Sequence, residues 1–180
     1  MGLTTFNGVP VHVLLVHAVV VLVPLTALAL VACSLWPAVL RRFGLALPLL
    51  ALVSLGFVPL TTDAGEWLAE HVRENALVER HTEMGEDLLP WAVGLFALAA
   101  LLGWVTWRPE RSPVWLSAVA RQTTGRTAVR VKAAVVVLAV LLGTGAVVQV
   151  YRIGDSGAQA TWQGVTTATM NGTGARTNDR

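Results

Sequence analysis

Four histidines, His12, His17, His71 and His81, are the side chains of this sequence best suited to chemistry near neutral pH. A neutral imidazole binds zinc, copper or haem iron, and a free imidazole exchanges protons at a pH of about 6.5. These residues therefore point to three kinds of site: a metal centre, an axial ligand of haem, or a proton-exchange site. Which histidines can meet depends on the elements that carry them.

His17 is surrounded by an apolar run, residues 13–20, in which a charged imidazole would be costly. It should therefore be neutral and have a partner on a neighbouring helix. Two interpretations stay open: a functional ligand, or a structural histidine bonded to a hydroxyl group or a backbone carbonyl. His12 precedes it by five residues, which on a regular helix is about 140° around the axis and about 7.5 Å along it. The two histidines therefore cannot share one ion on a regular helix.

The composition indicates a membrane protein. Of the 180 residues, 54% are hydrophobic and 13% are charged, and the mean hydropathy is +0.63. Because a hydrocarbon core about 30 Å thick is crossed by roughly 20 helical residues, uncharged runs of that length predict spans at 11–35, 43–62, 88–107 and 133–150. We predict an all-α integral membrane protein, with residues 1–162 forming an antiparallel bundle of four transmembrane helices. Residues 163–180, rich in Gly, Thr, Asn and Arg, are predicted to be a disordered tail.

The connections between the spans predict the orientation. The first and third connections carry eight of the thirteen Lys and Arg residues, which is typical of cytoplasmic loops. The second connection carries eight of the eleven acidic residues. We therefore expect this connection and both chain termini to be extracytoplasmic, which places all four histidines in the outer half of the protein.

The outer end of the bundle is where a site is easiest to build. His81 precedes the first residue of the third span, Leu88, by seven positions, which places it about 10 Å above the hydrocarbon if the helix continues. Our candidates for metal ligands are His12, His81 and His71, with His17 beneath them. Our candidates for cofactor ligands are His17, His12 and His81.

Charged residues near this end are further candidates. Arg152 and Asp155 follow the fourth span, where the sequence predicts a helix stop near Gly154. They could fold over the site, with the arginine pairing with a carboxylate of the loop or with a cofactor propionate. Glu66, just past the second span, is a secondary candidate. The alternative is that these charges merely keep an outer loop solvated.

Four stretches of the chain resemble a known family. They are FNGVPVH at 6–12 with His17 five residues on, TDAGEWL at 62–68, ERH at 79–81 and RIGDSGA at 152–158. They are similar to the bacterial membrane family catalogued as domain of unknown function 2231, although Val13 stands where members often have a proline after the histidine. The resemblance implies a four-helix protein of the bacterial cytoplasmic membrane. Since some relatives are joined to Rieske iron–sulfur or c-type cytochrome domains, it also implies a place near electron transfer, with such a redox protein as partner.

Three functions follow from these observations. The first is a module that binds a b-type haem or a divalent metal near the outer face and takes part in electron transfer. The second is a non-catalytic anchor or assembly subunit, in which the histidines and the Arg152 and Asp155 pair fasten the helix ends. The third is a small transporter or proton conductor that uses His17.

The sequence also excludes some classes. It contains no G-x-S-x-G, no H-E-x-x-H and no Walker-type loop, so we expect no independent catalytic activity. No basic stretch is interleaved with aromatic residues, which argues against nucleic-acid binding. The expected partners are the lipid bilayer and a redox protein, and a homo-oligomer remains open.

Overall fold

The computed structural model of the protein describes residues 5–6, 8–72, 76–107 and 126–175, and from residue 163 onward only the backbone. Nearly all of these residues are helical. A short antiparallel ribbon precedes the first helix and turns at Gly8. The elements are β1 (Thr5–Phe6), β2 (Val9–Pro10), α1 (Val11–Leu35), α2 (Pro37–Phe43), α3 (Ala46–Glu70), α4 (Ala76–Glu86), α5 (Leu89–Trp107) and α6 (Arg126–Ala175).

Four helical segments of the described part are long and apolar enough to cross a membrane. They are α1, α3, the α4–α5 segment Ala76–Thr106, and Val129–Trp162 of α6. Large apolar side chains point outward from them: Leu28 is 69% exposed and Leu141 is 61% exposed. Such a surface suits lipid rather than water. The prediction of an all-α membrane protein with four spanning helices is confirmed.

Small residues lie where the spanning helices touch. An added Cβ at Gly143 of α6 would lie 3.4 Å from the Cβ of Ala27 in α1. One at Gly103 of α5 would lie 2.9 Å from the Cγ of Pro48 in α3. Because lipid is as apolar as leucine, the hydrophobic effect does not drive helix association inside a bilayer. Close van der Waals packing at such positions therefore holds the bundle together.

One pair of hydroxyl groups is buried in the middle of this packing. The hydroxyl oxygens of Thr26 in α1 and Ser54 in α3 are 2.7 Å apart. Both side chains are buried, at 0% and 3% exposure. The bond joins the first two spans where no water competes for it.

Helix α4 distinguishes one end of the bundle. A turn at residues 87–88 separates it from α5, and it packs against α3 and α6. The buried Gln149 of α6 donates from Nε2 to the carbonyl oxygen of Met84 in α4 at 2.9 Å. We call this end, which also holds the start of α1 and the end of α3, the histidine end.

The last helix differs from its prediction. The sequence predicts a helix stop near Gly154, but α6 is continuous through this residue. Among the described residues only Gly8 and Gly44 have a positive φ, so Gly154 does not adopt the left-handed conformation that ends helices. The predicted stop is wrong, because the packing of α6 against α4 and α1 outweighs the weak local signal. The helical backbone extends to Ala175, past the predicted start of the disordered tail, and residues 176–180 lie outside the described part.

Candidate functional site

A cavity of about 590 Å³ lies at the histidine end, between α1, α3, α4 and α6. This volume is in the range of cofactor and small-molecule sites, about 300 to 1,000 Å³. Buried side chains line its deep end: Val19, Val58, Leu88 and Val150. Its walls are also mostly apolar, and they include Val13, Val16, Leu68, Val78 and Ile153. The polar groups that reach this cavity are few, and three histidines are among them.

His12 begins α1, and its ring lies against α3. Its Nδ1 is 3.0 Å from the backbone carbonyl oxygen of Thr61. The ring packs on Gly65, where an added Cβ would lie 2.9 Å from Cε1 of His12. Thr61 and Gly65 are four residues apart on one face of α3. The same helix face therefore provides both the hydrogen-bond acceptor and the space for the ring.

His81 is held in a similar way by another pair of helices. Its Nδ1 is 2.9 Å from the hydroxyl oxygen of Ser156 in α6. That hydroxyl group also lies 2.9 Å from the carbonyl oxygen of Ile153, to which it donates. The His81 ring packs on Gly157, where an added Cβ would lie 3.0 Å from Cε1 of His81. Here α6 provides the acceptor and the space.

The rings of His12 and His81 meet in the cavity. Their centroids are 6.3 Å apart, and their planes are at 85°. Each of the two histidines is half-buried. Of the histidines proposed from the sequence, these are the two that the structure brings together.

His17 and His71 are placed differently. His17 lines the same cavity, but it is exposed and its Nδ1 is 2.6 Å from the carbonyl oxygen of Val13 in its own helix. His71 is exposed at the end of α3, stacks on Trp67 and bonds to the carbonyl oxygen of Trp67 at 2.7 Å. His71 does not line the cavity. Among the described residues, no three His, Cys, Asp or Glu side chains form a group that could hold a metal ion.

The proposed charged residues lie outside the large cavity. Arg152 and Asp155 are exposed, and together with Arg80 and Ser156 they line a separate polar cavity of about 100 Å³ between α4 and α6. A carboxylate oxygen of Asp155 accepts a hydrogen bond from Gln159 at 3.0 Å. Glu66 is exposed and lines neither cavity. Ser156 is the one of these residues that links the small cavity to His81.

Sequence reasoning missed four residues that shape the site. They are the two acceptors, Thr61 and Ser156, and the two glycines under the rings, Gly65 and Gly157. The spacing of these residues could have indicated the site. Gly65 lies one helical turn after Thr61, and Gly157 lies one turn after Ile153, whose carbonyl oxygen accepts from Ser156. A glycine one turn past an acceptor leaves room for a ring from another helix.

The fold and the site define a four-helix membrane protein with an apolar cavity at one end and a pair of imidazoles in it. The sequence profile of a family described as predicted membrane proteins, domain of unknown function 2231 (DUF2231), matches residues 8–169. The chain belongs to this family, which confirms the resemblance drawn from its motifs. No curated protein and no solved structure matches the chain.

Proposed function

We propose that this protein is a membrane redox module that would hold one b-type haem in the apolar cavity through the imidazoles of His12 and His81. The observation that carries the proposal is that the two imidazoles, each bonded through Nδ1 to a second helix, come together in this cavity with centroids 6.3 Å apart. Bound haem iron supplies one-electron transfer. The chain's own residues would orient the two imidazoles.

The hydrogen-bond partners indicate the protonation state of both rings. A backbone carbonyl only accepts, so the bond between Thr61 and His12 requires a proton on Nδ1 of His12. A neutral imidazole then has its lone pair on Nε2. The hydroxyl group of Ser156 donates to the carbonyl of Ile153, which leaves its oxygen able to accept from Nδ1 of His81. With Nδ1 of each ring protonated in this way, Nε2 would carry the lone pair that binds a metal, as in metal-bound histidines with a second hydrogen-bond partner.

The two rings are close enough for one bound group to contact both. The centroids of the His12 and His81 rings are 6.3 Å apart.

The number of ligands favours haem over a bare divalent ion. A protein zinc site uses three or four side-chain ligands. Among the described residues, three histidines line the cavity and two of them come together, but no group of three ligands could hold a metal ion. Haem needs only axial ligands from the protein, and an apolar cavity suits the porphyrin ring. His17 is the alternative ligand, since it lines the same cavity.

The remaining charged residues fit the edge of such a site. Arg80, Arg152 and Asp155 line the small polar cavity beside the His81 and Ser156 bond, where the two guanidinium groups could pair with a propionate while the Asp155 carboxylate would oppose it. With both termini and the α3–α4 connection extracytoplasmic, the haem would lie near the outer face of the bacterial cytoplasmic membrane. A Rieske protein or a c-type cytochrome could then exchange electrons with it.

The test is spectroscopic. The protein is expressed with a haem supply, purified in detergent, and examined by its reduced-minus-oxidised visible spectrum, its pyridine haemochrome and its iron, copper and zinc content. We expect a b-type spectrum that is lost in His12→Ala and His81→Ala. His71→Ala is the matched control, because this exposed ring lies outside the cavity, and it should keep the full spectrum.

Two results would overturn the assignment. A monodisperse wild-type protein without colour or metal would remove the redox function altogether. A spectrum lost in His17→Ala but kept in His12→Ala would move the ligand to the deeper histidine.

One observation favours a second function, the non-catalytic anchor. The bonds of His12 to Thr61 and of His81 to Ser156 each join two helices even without a ligand. In that case both alanine variants would lower the stability of a colourless protein. A colourless wild type with this response would support the anchor.

A further inference from the structure

Ser156 occupies a position between the candidate ligand and the backbone of α6. Its hydroxyl oxygen is 2.9 Å from Nδ1 of His81 and 2.9 Å from the carbonyl oxygen of Ile153. The side chain is half-buried and also lines the small polar cavity. A hydroxyl group has one proton, so it can donate to only one of these two neighbours.

We propose that Ser156 is a positioning residue that fixes the tautomer and the ring orientation of His81, an inference that rests on the proposed function. With the hydroxyl proton directed at the Ile153 carbonyl, the oxygen accepts from Nδ1 of His81. If the hydroxyl group instead donated to Nδ1, the imidazole proton would move to Nε2 and the lone pair for the metal would be lost. The direction of this short chain of bonds therefore decides whether His81 is a ligand.

The two histidines differ in how this control is encoded. His12 bonds to a backbone carbonyl, which is an acceptor whatever side chain residue 61 has. His81 bonds to the hydroxyl oxygen of Ser156 and also faces the backbone carbonyl of Ile153, so its ring has a side-chain partner in addition to a backbone one. Ser156 is thus the position at which a substitution can remove one partner of the His81 ring without changing the histidine itself.

The physical effect on the metal follows from the bond. An acceptor at Nδ1 makes the imidazole a stronger electron donor through Nε2 and holds its ring in place. Loss of such a partner typically lowers metal affinity or activity by about 10- to 100-fold. A weaker donor also stabilises the oxidised iron less, so the midpoint potential should rise.

The experiment titrates haem-depleted full-length protein in detergent with haemin and measures the midpoint potential of each loaded variant. Ser156→Ala should bind haemin about 10- to 100-fold more weakly than the wild type and show a higher potential. Ser156→Thr keeps a hydroxyl group that can bond to the same carbonyl, so it should restore both quantities. Ser34→Ala is the matched control: Ser34 likewise donates to the carbonyl three residues back in its own helix, that of Val31, and it lines neither cavity.

The outcomes separate this inference from the proposed function. A wild-type protein that binds no haemin removes the proposed function. A wild type that binds haemin, with affinity and potential unchanged in Ser156→Ala, removes only the role of Ser156. Equal losses in Ser156→Ala and Ser34→Ala, or in Ser156→Ala and Ser156→Thr, would likewise reject the hydroxyl group as the cause.

Discussion

In the variant Gly157→Ala, the added methyl group meets the His81 ring. Gly157 and Gly154 lie three residues apart on α6, and both line the large cavity. A Cβ at Gly157 would lie 3.0 Å from Cε1 of His81 and 3.4 Å from its Nδ1, whereas one at Gly154 would have nothing within 4 Å. The same substitution therefore disturbs the ring in one variant and leaves it untouched in the other.

The size of the effect can be worked from these distances. Carbon atoms in unstrained contact are about 3.5 to 4.0 Å apart, so the ring must move by about 0.5 to 1 Å. A movement of this size away from α6 stretches the 2.9 Å bond between His81 and Ser156 past the limit of about 3.2 Å. Overpacking and the lost bond together cost about 1 to 3 kcal/mol. Replacing glycine by alanine in a helix gains about 1 kcal/mol in either variant.

We therefore expect Gly154→Ala to match or exceed the wild-type free energy of unfolding. Gly157→Ala should be less stable than Gly154→Ala by about 1 to 3 kcal/mol. Equilibrium unfolding in mixed micelles, followed by tryptophan fluorescence, measures this difference, and the visible spectrum measures haem content. Gly157→Ala should lose haem while Gly154→Ala keeps it. Equal stability and equal haem content in the two variants would show that the ring does not rest on Gly157.

Further predictions concern the packing and the orientation. Thr26→Val removes the buried bond to Ser54 and should lower the free energy of unfolding by about 0.5 to 2 kcal/mol. If this bond is the cause, the double variant Thr26→Val with Ser54→Ala should be little less stable than Thr26→Val alone. Gly145→Ala places a Cβ into the ring of Trp91 and should lower the free energy of unfolding by about 1 to 3 kcal/mol in the same assay. Gly143→Ala, whose added Cβ has its nearest contact at 3.4 Å, should lower the free energy of unfolding by less. In a Cys33→Ala background, Glu79→Cys should react with an impermeant maleimide in intact cells and Arg41→Cys only after lysis; the reverse pattern would invert the predicted orientation.

The spanning helices could be predicted because the bilayer imposes a length that the sequence must satisfy. The first span coincides with α1, since Pro10 precedes its first residue and the helix ends before Pro37. The second span is predicted to end at residue 62, but α3 continues to Glu70. Charges such as Asp63 end a hydrocarbon run without ending a helix. The apolar pattern therefore locates the membrane better than it locates helix ends.

The site could be predicted only in part, because it depends on how the helices are rotated against each other. Charge and depth favour His12 over His17 as the neighbour of His81, and the two rings do meet. The roles of Ser156 and Gly157 could not be predicted, because the sequence predicts that the last helix ends near Gly154. Only a continuous α6 places both residues beside His81.

The contrast among the four histidines argues that the site is preorganised. His17 and His71 each use Nδ1 to bond to the carbonyl four residues back in their own helix, which constrains no other element. His12 and His81 instead bond across to α3 and α6, so a second helix fixes each ring. A ligand bound to both rings would join the α1 and α3 pair to the α4 and α6 pair. Rings already fixed lose little freedom when they bind, and this lowers the entropic cost of filling the cavity.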